Sequence, residues 1–254
     1  MALHGPATAA ATALEHAISN DRYASYLAAA SGNPHLARDL YVWDRDLAGA
    51  IMADLAIVEV GLRNAMHHAL TNEWGAFWYE RADVELDDRS CNQLATAWNH
   101  LPRAIRNNPT GPDVPGRLVA QCTFGFWVNL LDAGDHAGRS PRRYRTDYEN
   151  LWRPALRKAF PGGRAEVAND PDPGARFVRS WTHGVAKRVN VLRNRVAHHE
   201  PLHNGFPLPG QHARRTPAQA HDDYLKLARM IDRDLAEWIR QDTDVPDLLN
   251  NRPV

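Results

Sequence analysis

The 254-residue sequence predicts an all-α protein on three observations. Apolar residues recur every three or four positions in several segments, which is the helical period. Proline- and glycine-rich stretches separate these segments into individual helices. No stretch shows the alternating apolar pattern or the hairpin dipeptides of paired strands. We therefore expect one helical domain at residues 33–241, preceded by an N-terminal helical segment at residues 1–32 and followed by a loose C-terminal tail at residues 242–254.

The N-terminal half contains the strongest helical pattern. An alanine-rich helix is expected over residues 8–30, and Pro34 opens a short helix that continues to about Trp43. Asp44 is expected to cap a long second helix. Six apolar residues in that helix recur at spacings of four or three and form an amphipathic stripe: Leu47, Ile51, Leu55, Val58, Leu62 and Met66.

Shorter helices are expected in the rest of the chain. Pro102 is expected to kink or divide one of them, and Thr216 and Gln219 form a capping box around Pro217 at the start of the last. A strand is the minor alternative for the apolar block at residues 117–132. The expected helices span residues 88–106, 117–132, 147–160, 175–199 and 217–240, with loops at 134–143, 161–174 and 200–215.

The composition excludes several classes of protein. Only two cysteines occur, Cys91 and Cys122, which excludes a disulfide framework and a zinc ribbon and indicates a cytoplasmic protein. The N-terminus lacks the pattern of a signal peptide. The most apolar stretch, residues 49–62, is short and carries Asp54 and Glu59, so no membrane span is expected. We also expect no metal and no cofactor.

The formal net charge is zero but is unevenly distributed. Residues 1–100 hold six arginines and no lysine against thirteen acidic residues, so residues 101–254 carry the compensating positive charge. Basic residues cluster in RSPRRYR (139–145) and in the acid-free stretch 173–199. Such clusters either contact phosphates or pair with the acidic half of the chain. The residues expected to contact RNA are Arg142, Arg143, Arg145, Arg179, Lys187 and Arg188.

Residues able to carry chemistry concentrate in VLRNRVAHHEPL, residues 191–202, at the end of a predicted helix. Asn194 and His198 share one face of this helix, and Arg193 lies on its flank, about 140° from His198. An arginine beside a titrating histidine supplies what RNA cleavage without a metal requires, namely proton transfer and stabilisation of the charged phosphorane. The alternative is a capped helix end whose polar residues face water. The core-facing stripe consists of Val185, Val189, Leu192 and Val196.

The motif Arg193-Asn194-x-x-x-His198 matches the RNxxxH form of the HEPN motif (higher eukaryotes and prokaryotes nucleotide-binding domains). The chain more narrowly resembles the Abi-like proteins of bacterial abortive-infection systems, over about residues 35–240. Four blocks carry the resemblance in the same order: LYVWDRDLAGAIMADLAIVEVGLRNAMHHAL (40–70), TFGFWVNLL (123–131), YENLWRPALRKAF (148–160) and NVLRNRVAHHEPL (190–202).

The resemblance implies an all-α, HEPN-like helical bundle with additional helices, which dimerises through the motif helices. It implies a metal-independent endoribonuclease that leaves a 2′,3′-cyclic phosphate, acting as a toxin in phage defence. Its implied partners are RNA (tRNA, mRNA or rRNA), a second copy of the chain, and an antitoxin or phage-derived trigger. The alternative is a catalytically silent module that binds RNA or protein. The implied catalytic residues are Arg193, His198 and Asn194, and the supporting residues are Glu59, Arg63, Asn64, His199 and Glu200.

Two further hypotheses concern the neighbours of the motif. Glu59, Arg63 and His67 share one face of the long helix, so Glu59 or Arg63 either pairs within its own helix or reaches the motif helix and positions Arg193 or His198. A metal site is the chemical alternative. The sequence disfavours it, because HExxH is absent and Pro201 breaks the helix within the ligand cluster: His198, His199, His203 and Glu200.

Overall fold

The computed structural model of the protein describes residues 16–254, whose regular structure is mostly helical and confirms the all-α prediction. This part of the chain forms two compact units. Unit 1 consists of residues 16–52, Arg195–Gln219 and Asp244–Val254, and unit 2 consists of Ala53–Asn194 and Ala220–Thr243. The predicted domain limits differ from these units, because each unit is assembled from segments that are distant in the sequence. Residues 1–15 of the predicted N-terminal segment lie outside the described residues.

The helices are numbered here in chain order. They are α1 (Asn20–Ala29), α2 (Pro34–Trp74), α3 (Asp88–Asn99), α4 (Arg103–Arg106), α5 (Val114–Gln121), α6 (Phe124–Asn129), α7 (Glu149–Trp152), α8 (Gly163–Ala168), α9 (Arg179–Ala197), α10 (Pro217–Ile231), α11 (Arg233–Asp242) and α12 (Val245–Asn250). Short 3-10 turns span Trp78–Glu80, Ala82–Val84 and Leu156–Ala159. No helix of the described residues is long and apolar enough to cross a membrane.

Two antiparallel pairs of very short strands accompany the helices. Strand β1 (His136–Ala137) pairs with β2 (Tyr144–Arg145), and β3 (Phe206–Pro207) pairs with β4 (Arg214–Arg215). Neither pair was predicted from the sequence, and the loops 134–143 and 200–215 were expected in these regions. Strands of two residues are too short to show an alternating pattern.

Both predicted apolar stripes are buried. All six stripe residues of α2, from Leu47 to Met66, have no measurable exposure. The four stripe residues of α9, from Val185 to Val196, are buried as well. Burial of these two stripes orients both helices about their axes and thereby determines which polar residues lie on their flanks.

Helix α2 runs without a break from Pro34 to Trp74, so the prediction that Asp44 caps a second helix is wrong. Asp44 is buried inside unit 1. Its carboxylate accepts a hydrogen bond from the Tyr26 hydroxyl over 2.7 Å and from the backbone N–H of Leu202 over 3.1 Å. Because these distant partners satisfy the carboxylate, it does not compete for the backbone N–H groups of its own helix.

The prediction of a loose C-terminal tail is also wrong. Helix α12 occupies residues 245–250 of that segment, and Val245 at its start is buried. Within unit 1, the indole N–H of Trp43 donates a hydrogen bond to the carbonyl of Leu248 over 2.6 Å. Pro246 in the first turn was a local signal for this helix, since proline is favoured where no N–H is needed.

Most other predicted helices are present but divided. Pro102 separates α3 from α4, and Cys122 and Thr123 separate α5 from α6. Asp232 ends α10 and caps α11, because its carboxylate accepts a hydrogen bond from the backbone N–H of Asp234 over 2.7 Å. The predicted helices at 147–160 and 175–199 are shorter than expected, and the predicted loop at 161–174 contains α8.

The predicted capping box at the start of α10 is confirmed. Gln219 donates its backbone N–H to the Thr216 hydroxyl over 3.2 Å, and Thr216 donates its backbone N–H to the Gln219 side chain over 3.0 Å. Two of the free N–H groups at the helix start are therefore satisfied reciprocally.

Candidate active site

Arg193 and Glu59 are in contact within unit 2. The Nε of Arg193 donates a hydrogen bond to Oε2 of Glu59 over 3.3 Å, although the two residues are 134 positions apart in the chain. Their side chains are 32% and 23% exposed, so water screens the pair only in part. The guanidinium of Arg193 is thus held by a charge-assisted hydrogen bond from α2. This is the cross-helix contact that one of the two hypotheses for Glu59 expected.

The other predicted residues of unit 2 are less engaged with the motif arginine. Asn64 and Asn194 are exposed on α2 and α9. Arg63 is half-buried, and its charge acts on the thiol of Cys122. Burial raises the pKa of that thiol to about 12, and the charge of Arg63 opposes the rise only in part. Arg63 is therefore placed beside a buried neutral thiol.

His67, one turn further along α2, has a structural partner. The indole N–H of Trp78 donates a hydrogen bond to Nδ1 of His67 over 3.0 Å. Burial, and secondarily the neighbouring His68, lowers the pKa of His67. A ring that accepts at Nδ1 and is disfavoured as a cation is neutral, with its proton on Nε2.

The residues that follow Arg193 lead into a turn of unit 1 at the end of α9. His199 has a φ of 55°, which lies in the left-handed region. Its N–H donates to the carbonyl of Val196 over 3.0 Å, and the N–H of Glu200 donates to the carbonyl of Arg195 over 2.9 Å. These two bonds define a Schellman motif, in which a left-handed residue terminates the helix. The prediction that the helix continues through His199 is therefore wrong.

This turn presents its side chains to solvent. His198, His199 and Glu200 are all exposed. Arg195 fixes the turn, because its Nη1 donates a hydrogen bond to Oε2 of Glu200 over 2.6 Å and its guanidinium lies 5.5 Å from the ring centre of Phe206. His198 is thus an accessible imidazole carried by a well-fixed backbone.

The histidines considered as a metal site do not converge. Within residues 16–254, no three His, Cys, Asp or Glu side chains lie close enough together to hold a metal ion. His203 is buried and stacks on the ring of Tyr26, with 4.3 Å between ring centres. The exposed His198 and His199 therefore belong to a different environment from His203.

The predicted RNA-contacting residues fall into two groups. Arg179 donates hydrogen bonds to Glu149 and to a backbone carbonyl, both over 2.9 Å, and Arg188 donates to Asp223 over 2.9 Å. These two arginines are already neutralised by acids of unit 2. The exposed group consists of Arg142, Arg143 and Arg145 near or on the β1–β2 hairpin and Lys187 on α9.

One residue of the β1–β2 hairpin was not predicted as part of the site. Tyr144 is 47% exposed although it is a large aromatic side chain. It lies among the three exposed arginines, and exposed aromatic rings between cations are typical of surfaces that bind single-stranded nucleic acid. The signal was present in RSPRRYR, but only the charges of this stretch were considered.

Comparison with known proteins identifies no relatives: no protein family matches the sequence, and no curated protein or solved structure matches it. The site is therefore defined by its own residues and by the resemblance described above. Those residues are a positioned arginine on α9, an acid on α2 that holds it, and an exposed histidine in the following turn.

Proposed function

We propose that this protein is a metal-independent endoribonuclease that cuts RNA by attack of a 2′-hydroxyl on the adjacent phosphate. Arg193 and His198 are the catalytic pair, and Asn194 orients the phosphate or the histidine. Glu59 is a positioning residue, since it acts through Arg193. Arg63, Asn64, His199 and Glu200 support the site in this proposal.

The proposed reaction moves two protons: one leaves the 2′-hydroxyl and one is delivered to the 5′-oxygen. A neutral imidazole takes the proton of the 2′-hydroxyl as its oxygen bonds to phosphorus, and a protonated imidazole gives a proton to the departing 5′-oxygen. The products are a 2′,3′-cyclic phosphate and a 5′-hydroxyl. Arg193 stabilises the additional negative charge that develops on the phosphorane between these two steps.

The contact between Arg193 and Glu59 carries the proposal. A solvated helix end, which is the plain alternative, does not require the arginine to be held by an acid from another helix. A guanidinium that is fixed but still one-third exposed is preorganised for an incoming phosphate. The accessible His198 adds the imidazole that the reaction needs.

A homodimer is part of the proposal, because a second copy of the motif supplies the second imidazole. Exposed apolar residues on α2 support a helix-mediated contact between copies. Ala53 and Ala56 are exposed, and Val60, next to Glu59, is 43% exposed. Apolar residues that recur along one exposed helix face are expected to be covered by a partner.

The exposed basic residues of the hairpin are the proposed RNA-contacting surface. Arg142, Arg143 and Arg145 neutralise phosphates, and Tyr144 stacks on an unpaired base. Lys187 extends the positive surface on α9 of the same unit. In this proposal Arg179 and Arg188 shape the site through their ion pairs rather than by binding RNA.

The resemblance to Abi-like proteins supports a cytoplasmic toxin of a phage-defence system. Such an enzyme restrains growth or phage replication by cutting cellular tRNA, mRNA or rRNA when it is triggered. An antitoxin or a phage-derived partner is the proposed control.

A catalytically silent module that binds RNA or protein is the second candidate, and one observation favours it. The Glu59 carboxylate that positions Arg193 also neutralises part of its charge. A phosphate must therefore compete with this carboxylate for the guanidinium. In a silent module the ion pair is a structural end point and not a device for preorganisation.

Cleavage assays with purified variants separate the two candidates. Arg193→Ala and His198→Ala are expected to lose RNA cleavage, with their dimer and helix content unchanged. His100→Ala is the matched control, because His100 is an exposed histidine outside the motif. If the variants and the wild type cut RNA equally, the catalytic assignment is wrong. If none of them cuts but all bind RNA, the silent module is the better account.

A further inference from the structure

A cavity of about 550 Å³ lies inside unit 1, next to the turn that carries His198. Cavities of several hundred Å³ with largely apolar walls and a few polar groups are typical of sites for small molecules. The size suits a ligand of about one nucleotide. Its lining comes from α1, α2 and the turn after α9, and includes Arg22, Tyr26, Tyr41, Arg45, Gly49 and His199.

One wall of the cavity is shaped for a flat aromatic group. Ala48 and Gly49 lack bulky side chains and leave open space beside α2: a Cβ added at Gly49 would meet nothing within 4 Å. Tyr26 and Tyr41 meet edge to face with 5.2 Å between ring centres. Tyrosine rings and small residues together form a slot in which a nucleobase finds stacking surface.

This wall is rigid because a buried acid holds it. The Asp44 carboxylate accepts hydrogen bonds from the Tyr26 hydroxyl and from the N–H of Leu202. Burial and the hydrogen bond to Asp44 raise the pKa of Tyr26, so this hydroxyl stays protonated and keeps donating. The slot is therefore formed before any ligand arrives, which lowers the entropic cost of binding.

The charged groups of the lining indicate an anionic ligand. The Nε of Arg22 is buried and has no hydrogen-bond partner among residues 16–254. A buried donor without a partner is rare in folded proteins and calls for an acceptor. Arg45 lines the same cavity, and its guanidinium also pairs with Asp46 over 2.7 Å. A phosphate near these two residues would therefore meet the unpartnered Nε of Arg22 and a guanidinium that it shares with Asp46.

The position of the cavity connects it with the proposed chemistry. His199 and Glu200 line it, and His198 immediately precedes them in the same fixed turn. A strand that continues from a nucleotide bound here therefore begins beside the turn that carries His198.

We propose that this cavity binds one nucleotide of the RNA substrate, adjacent to the bond that is cut. The base lies against Tyr26 and Tyr41, and the phosphate lies toward Arg22 and Arg45. This assignment rests on the proposed ribonuclease function, and it makes unit 1 the part of the protein that selects the cleavage position. It predicts that cleavage depends on the identity of the base next to the cut phosphate.

Calorimetric titration of the full chain tests the site without cleavage. The probes are 5′-AMP, 5′-GMP, 5′-CMP and 5′-UMP, with ribose 5-phosphate, adenosine and inorganic phosphate as partial ligands. Saturable binding of at least one nucleotide, tighter than that of any partial ligand, is expected. His198→Ala is expected to retain it, so a failure of the catalytic assignment does not affect this result. Absence of saturable binding would overturn the proposal.

Two variants and a matched control locate the binding. A Cβ at Gly49 meets nothing within 4 Å, so Gly49→Leu places a side chain at the slot and adds helix propensity. It is expected to weaken nucleotide binding at least about tenfold. Gly116→Leu is the control, because Gly116 is also helical and open but lies outside the cavity. Arg22→Ala is expected to weaken nucleotide binding but not adenosine binding. Equal affinities in Gly49→Leu and Gly116→Leu would contradict the site.

Cleavage of a defined RNA distinguishes a substrate nucleotide from a free nucleotide that acts as an effector. For a substrate site, Gly49→Leu raises KM and alters the cut positions in the absence of added nucleotide. For an effector site, Gly49→Leu loses nucleotide binding while its cleavage without added nucleotide matches that of Gly116→Leu. The second outcome would contradict the assignment to RNA.

Discussion

Replacing His199 by glycine tests the turn that follows the motif helix. A left-handed conformation costs an ordinary L residue about 1–2 kcal/mol, and His199 adopts it with a φ of 55°. Glycine avoids this cost but loses about 0.5–1 kcal/mol through the greater freedom of its unfolded chain. His199→Gly is therefore expected to stabilise the fold by about 0.5–1 kcal/mol, which raises Tm by about 1–4 °C in a chain of this size.

Thermal unfolding followed by far-UV circular dichroism measures this effect. His198→Gly is the control, since His198 is not among the residues with positive φ and gains nothing from glycine. It is expected to lower Tm, because it adds only unfolded-state entropy. A β-branched residue tolerates positive φ poorly, so His199→Val is expected to lower Tm as well. If His199→Gly unfolded at a lower temperature than the wild type, the left-handed turn would be wrong.

Three further predictions address the Arg193–Glu59 ion pair, the basic β1–β2 hairpin and the half-buried His67. Glu59→Gln is expected to lower the RNA cleavage rate about tenfold (about 1.4 kcal/mol), because Arg193 loses the carboxylate that holds it. Glu73 lies on the same helix as Glu59 and pairs with Lys158, so Glu73→Gln is the control and should leave the rate unchanged. Equal rates in the two variants would contradict the positioning role of Glu59. Replacing Arg142, Arg143 and Arg145 together by alanine should reduce the slope of log RNA affinity against log salt concentration by about 2. An unchanged slope would exclude these three residues as phosphate contacts. Burial lowers the pKa of His67 below its ordinary 6.5, so the unfolded state binds the proton first and Tm should fall as pH falls below about 6.5. His67→Gln should make this fall shallower, and an identical pH profile in wild type and variant would show that His67 does not contribute.

The sequence predicted the features that depend on local periodicity. The α2 stripe from Leu47 to Met66 and the α9 stripe from Val185 to Val196 recur at helical spacing, and burial of such stripes follows from the hydrophobic effect alone. The capping box at Thr216 was also readable, because all its hydrogen bonds are local. Such features need no knowledge of distant neighbours.

Features that depend on distant partners were not readable. Asp44 was interpreted as a helix cap, because the sequence does not show that Tyr26 and Leu202 meet its carboxylate. The cavity of unit 1 was missed for the same reason, since its walls come from residues 22–52 and 196–200. Glu59 is the exception, because the resemblance to Abi-like proteins supplied the long-range expectation that its helical spacing left open.

The chemistry of the cut ends tests the central claim most directly. Purified wild-type protein is incubated with total RNA in EDTA, and the new ends are identified enzymatically. The account predicts 2′,3′-cyclic phosphate and 5′-hydroxyl ends, formed by the wild type and absent with Arg193→Ala or His198→Ala. Ends carrying a 5′-phosphate, or cleavage that EDTA abolishes and added divalent metal restores, would contradict 2′-hydroxyl attack by this site.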